Sequence, residues 1–209
     1  MPADLQRSAD RARHNGAKIV KNLKDAFGDQ PGKNSQARRS GVVAAPVRRY
    51  SHDEQTGRVY DVEKALSRLL DNQLHQPLTD VFGSTVLVPI ERKFADIDSI
   101  QTYCTSVLNS LWPDYEQAIR AGVTVRARKG HSRAHYEQGG VIAIPTSAQG
   151  RWAMREQIVL HELSHHLVGH GHSHDAFFVR AYLDLLGRQL GPEMALIARS
   201  LFVHHDVAM

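Results

Sequence analysis

Residues 152–168, WAMREQIVLHELSHHLV, carry the pattern that most restricts how this chain can fold. Ile158, Val159, Leu160, Leu163 and Leu167 recur at helical spacing and cover most of the helix circumference, so the segment belongs inside a core. His161, Glu162 and His165 sit in the middle of it, and buried polar groups are costly unless they have partners. Gly169 follows as a natural left-handed cap. A fold that accepts this helix has to enclose a polar site.

The segment HELSH, residues 161–165, is an HExxH pattern, and its chemistry follows from helix geometry. His161 and His165 are four residues apart, project from one face and can share a Zn²⁺ ion at ~2.0–2.1 Å. Glu162 stands beside the first ligand, close to the metal's open position, where it can act as general base toward a water. Such a metal lowers the pKa of its water from about 15.7 toward ~7.

The third ligand is less constrained. The longer pattern HExxHxxGxxH fails by register, because residues 168 and 171 are Val168 and Gly171. The only glutamate after Glu162 is Glu193, beside Gly191-Pro192 at an expected helix start. His170, His172, His174 and Asp175 remain. His170 and His172 lie in a glycine-broken connection. His174 precedes DAFFVRAYLDLLG, in which Phe177, Phe178, Ala181, Leu185 and Leu186 would pack a helix onto the core and hold it rigidly. His174 is therefore favoured, with His172 its main rival. Ser173 is the expected cap of that helix, with Asp175 in its first turn.

The chain has 209 residues and one cysteine, Cys104, which excludes an internal disulfide framework and fits a reducing compartment; the expected location is the cytoplasm. Its apolar runs are far shorter than the ~18 residues a membrane span needs. Charge divides it: residues 1–50 hold eleven Lys/Arg against four Asp/Glu, whereas the remainder holds fifteen against eighteen. Residues 1–47 read as a basic, flexible leader and residues 48–209 as one domain. Helical periods at 58–74, 96–112, 152–168 and 192–203 alternate with strand patterns at 84–90, 123–129 and, around a Gln-Gly-Gly turn, 134–146. The expected class is α+β, a small and mostly antiparallel sheet with packed helices.

VLHELSHHL, then a short glycine-containing connection, then HDAFFVRAYLDLL resembles the compact zincin metallopeptidases of the SprT and WLM type. In those, a third histidine followed four positions later by phenylalanine opens the helix after HExxH, as His174 and Phe178 do here. The connection is three residues longer than in the WLM pattern. The stretches TGRVYDVEKAL, FGSTVLVPIERKF, AHYEQGGVIAIP and WAMREQIVLHELSHHL are similar to an uncharacterised actinobacterial family of HExxH metallohydrolases, over roughly residues 48–205. The resemblance implies a minimal zincin-like fold with HExxH on its active-site helix, and no particular substrate. It also implies a substrate-pairing strand, whose equivalent is Val141–Pro145. An oxyanion donor is required as well, for which Tyr136 and His135 are the candidates.

These readings lead to a zinc-dependent hydrolase, in the first place a peptidase acting on a peptide or protein. Zn²⁺ would sit on His161, His165 and His174, with Glu162 as the base. Two alternatives stand beside it. One is a metal-binding protein without turnover that chelates through HHLVGHGHSH. The other is a nucleic-acid-associated protein guided by the basic leader.

Overall fold

The computed structural model describes residues 52–169 and 171–209. The leader read over 1–47 and the candidate ligand His170 lie outside the described residues.

Helix α1, His52–Asp71, turns Val59, Val62, Leu66 and Leu70 inward. Strands β1, Leu78–Val81, and β2, Ser84–Leu87, form an antiparallel hairpin around Phe82-Gly83, both at positive φ. The sequence pattern marks β2 but not its partner, because β1 is only four residues long and sits among polar neighbours. Helix α2, Ile97–Ser110, starts at an Asp96/Ser99 capping box and buries Ile100, Cys104, Val107 and Leu108, as its period predicts. A one-and-a-half-turn helix, α3, spans Glu116–Ala121.

The second sheet orders β3, Thr124–Arg128, β5, Val141–Pro145, and β4, His135–Glu137, in that sequence. Among the described residues two of the three strand pairings are antiparallel, in keeping with the expected mostly antiparallel strands. β4 and β5 are antiparallel, but β3 and β5 run parallel from Thr124↔Val141 to Arg128↔Pro145. β5 takes the centre because VIAIP does not alternate: Ile142, Ala143 and Ile144 are all fully buried, as a strand covered on both faces requires. The β4–β5 turn uses Gly139 and Gly140, both at positive φ, and a Cβ on Gly140 would meet the Gly122 carbonyl oxygen at 2.8 Å.

A 3₁₀ turn, Ala148–Ala153, precedes helix α4, Glu156–Val168, which thus begins four residues later than its sequence period suggests. Its N-terminus is bolted down by buried charges. Arg155 pairs with Glu91 and, at 3.2 Å, with Asp71. Glu156 accepts from the Arg92 amide at 2.8 Å and from the Tyr103 hydroxyl at 2.7 Å. Helix α5, Ala176–Leu190, is capped by Asp175 rather than Ser173. The Asp175 carboxylate accepts from the amides of Phe177 at 3.0 Å and Phe178 at 3.1 Å, where the helix dipole favours an anion. Helix α6, Pro192–His204, begins with proline in its first turn. The three helices meet around Leu160, Leu163, Tyr182, Leu185 and Phe202, all fully buried. The result is a mixed α and β fold, and no helix among the described residues is long and apolar enough to cross a membrane.

Candidate metal centre

Helix α4 presents His161 and His165 on one face, and the segment before α5 brings His174 to meet them. The Nε2 atom of His161 lies 3.3 Å from that of His165 and 3.1 Å from that of His174. One nitrogen from each ring falls within 4.8 Å of the others. Two ligands held tetrahedrally at ~2.0–2.1 Å from one ion sit roughly 3.3 Å apart, so the cluster has the dimensions of a three-histidine metal site. Phe178 forms its floor, with ring centroids 4.8, 4.4 and 4.7 Å from those of His161, His165 and His174.

The other side of each ring also has a neighbour that can orient it, as metal-binding histidines generally require. Glu63 Oε1 lies 2.7 Å from His161 Nδ1. That approach is angularly off the hydrogen-bond axis, and neither atom makes a hydrogen bond to a described residue. The His172 backbone carbonyl supports the His165 ring. Ser173 Oγ stands 3.3 Å from His174 Nδ1, while the Gln55 amide donates to the His174 carbonyl at 2.9 Å. Burial pushes the pKa of both His161 and His165 down to about 3, which keeps the imidazoles neutral and able to ligate.

Of the rival ligands, His172 pairs with Asp175 at 2.6 Å and rests against the Phe177 ring at 4.7 Å. Asp175 is spent on the helix cap. Among the described residues the cluster that could hold a metal ion is His161, His165 and His174.

Glu162 borders a cavity of about 460 Å³ together with the three histidines and Tyr60. Burial, with the charge of Glu63 nearby, raises its carboxyl to about 8, and a backbone hydrogen bond from Tyr136 tempers the rise. The candidate oxyanion donors are engaged elsewhere. Tyr136 places its hydroxyl 3.2 Å from His166 Nδ1, and His135 has its ring nitrogens 2.9 Å from Arg128 and 3.0 Å from Glu137. His166 is buried and reaches the Ala118 carbonyl at 3.0 Å, so it ties α4 to both α3 and β4. The substrate-pairing role expected of Val141–Pro145 meets a topological obstacle: β5 is flanked on both sides. β3 and β4 are the edge strands, and Ala134, His135 and Tyr136, at β4, border the cavity.

Sequence reasoning missed the whole contribution of α1. Tyr60 packs with its ring centroid 5.1 Å from that of His174 and 6.0 Å from that of His161, and is 37% exposed. Its hydroxyl makes no hydrogen bond to a described residue. Glu63 carried a readable signal: with Val59, Leu66 and Leu70 it falls on one helical stripe, where a lone carboxylate demands a buried partner. Nothing local distinguishes Tyr60.

Comparison of the chain with protein-family models, with curated proteins and with solved structures gave no significant match.

Proposed function

We propose that the protein is a metal-dependent hydrolase that cleaves peptide bonds, with zinc as its ion. The observation that carries this reading is the convergence of three buried or half-buried imidazoles, with Nε2 of His161 3.3 Å from that of His165 and 3.1 Å from that of His174, on a cavity that also contains the Glu162 carboxyl. An all-imidazole donor set of this size suits Zn²⁺. When bound, zinc supplies Lewis acidity toward a carbonyl oxygen and makes water acidic near neutral pH.

The chain's own residues do the rest. His161, His165 and His174 hold the ion. Glu162 takes a proton from the attacking water on a carboxylate oxygen and returns it to the leaving nitrogen. A carboxyl whose pKa is displaced upward toward neutrality is suited to both halves of that exchange. Tyr60, whose hydroxyl is uncommitted, donates to the oxygen on which charge develops. We assign it that role ahead of Tyr136 and His135, whose polar atoms already have partners. The peptidase assignment is favoured by β4, an edge strand along the cavity that can run beside an extended backbone.

The test is Glu162→Gln in the full chain loaded with one equivalent of zinc. The variant should retain the metal and lose hydrolysis of casein. Turnover of casein at the wild-type rate by that variant removes Glu162 from the mechanism, and absence of stoichiometric metal binding by the wild type removes the centre itself.

A further inference from the structure

A second cavity, about 450 Å³, adjoins the one at the histidine cluster. It shares Tyr60, Ala134, His161 and Glu162 with the first, so a molecule whose reacting carbonyl sat at the cluster would extend directly into it. The two spaces differ in chemistry. Among the described residues the cluster side has no lysine or arginine on its walls, whereas the second cavity is bordered by Lys64, Arg68 and Arg133. Its apolar surface comes from Trp152 and Ile158. The carboxyls on its walls, Glu63 and Glu162, are both buried and belong to the end shared with His161.

Arg133 is the group that makes this more than a basic rim. It lies on the loop between β3 and β4, and that loop is held at two points. The Arg128 guanidinium donates to the Arg133 carbonyl at 2.7 Å, and the Trp152 indole donates to the His131 carbonyl at 2.8 Å. The Arg133 side chain is exposed and makes no ion pair among the described residues. Its charge is close enough to act on the Tyr60 hydroxyl. Lys64, by contrast, is paired with Asp61 at 3.1 Å in a solvent-exposed bridge of little strength.

We propose that this cavity is a specificity subsite for a carboxylate-terminated group adjoining the scissile bond, with Arg133 as the anchor for the carboxylate and Trp152 and Ile158 as the seat for its apolar stem. The inference rests on the reading of the three histidines as a catalytic metal centre, and it names the substrate class. The carboxylate can be an acidic side chain or the free C-terminus of a peptide. A guanidinium recognises both by the same charge-assisted hydrogen bonds.

The experiment is calorimetric titration of the full chain. On zinc-loaded protein the probes are acetohydroxamate, hexanohydroxamate and the monohydroxamate of adipic acid. On metal-free protein they are 4-phenylbutyrate and its neutral amide. The adipic monohydroxamate should bind at least about tenfold more tightly than hexanohydroxamate, and phenylbutyrate more tightly than its amide. Arg133→Ala should abolish both preferences and leave acetohydroxamate affinity unchanged, while Arg133→Lys should restore part of each. Malonyl monohydroxamates coupled to glutamic acid amide and to alanine then separate the two sources, according to which shows the Arg133-dependent gain. Equal binding of charged and neutral probes, or a preference that survives Arg133→Ala, overturns the subsite while leaving the metal centre intact. Failure of acetohydroxamate to bind the zinc-loaded chain, beside an Arg133-dependent preference for phenylbutyrate, overturns the metal centre and shows the cavity to be an anion site in its own right.

Discussion

Glu63 places a carboxylate oxygen 2.7 Å from Nδ1 of His161, joining the first helix of the described chain to the HExxH helix at the atom opposite the proposed metal. Both side chains are buried, and burial raises the Glu63 carboxyl to about 8. In the proposed metal centre, a carboxyl at Nδ1 would orient the ring and strengthen it as a ligand. Glu63→Ala should therefore weaken zinc binding by about 10–100-fold, with Glu63→Gln milder, as read by competition with a fluorescent chelator. Wild-type affinity in the alanine variant would show that Glu63 merely fills space.

His174 and His172 give opposite expectations. Zinc content measured by mass spectrometry after dialysis should collapse in His174→Ala, because a ligand from the converging set is gone. It should persist in His172→Ala, whose ring is occupied with Asp175 and Phe177. The reverse result would move the third ligand into the glycine-broken connection.

Tyr60→Phe removes one hydroxyl and keeps the ring that packs beside His161 and His174. Casein hydrolysis should fall by about 10²-fold or more, in kcat rather than KM, with zinc content unchanged. An equal fall in Tyr136→Phe, and none in Tyr60→Phe, would return the oxyanion role to β4.

His166 neighbours a proposed ligand but acts as a brace. Its ring joins the Tyr136 hydroxyl to the Ala118 carbonyl. His166→Ala should lower stability by about 1–3 kcal/mol in urea denaturation, since buried polar atoms lose their partner, and zinc stoichiometry should hold. Loss of zinc at unchanged stability would place the ring in the metal site.

Cys104 is fully buried, and burial pushes its thiol up to about 12. In the unfolded chain a thiol ionises near pH ~8.5, so the unfolded state releases its proton first as pH rises. The thiol's contribution to stability is thus full below that pH and declines as pH climbs toward 12. Folded protein at pH 8 should resist Ellman's reagent, with reaction appearing on addition of denaturant. Rapid reaction under native conditions would contradict the burial.

Helix periods and breakers were legible from local order because they depend on neighbours three or four residues away. Ile100, Cys104, Val107 and Leu108 went where their spacing sends them, and Pro192 stands in the first turn of α6. The proposed ligand pair His161 and His165 and the proposed base Glu162 were legible for the same reason, since one turn of helix sets their relation. Helix starts were less so: Asp175 displaced Ser173 as cap because a carboxylate can accept from two amides at the positive end of the dipole.

What the amino-acid sequence determined by itself was the chemistry of α4 and a short set of downstream histidines. Tertiary structure decided the rest. It set β3 parallel to β5 and left β4 at the edge, because strand order depends on which strand can be buried on both faces. It chose His174 from among its neighbours by bringing that ring within reach of His161, a contact across thirteen residues. It also put Tyr60, Glu63 and Arg133 around the same site. Tyr60 and Glu63 stand 101 and 98 residues before His161 in the chain and Arg133 stands 28 before it, and no local period records such a meeting.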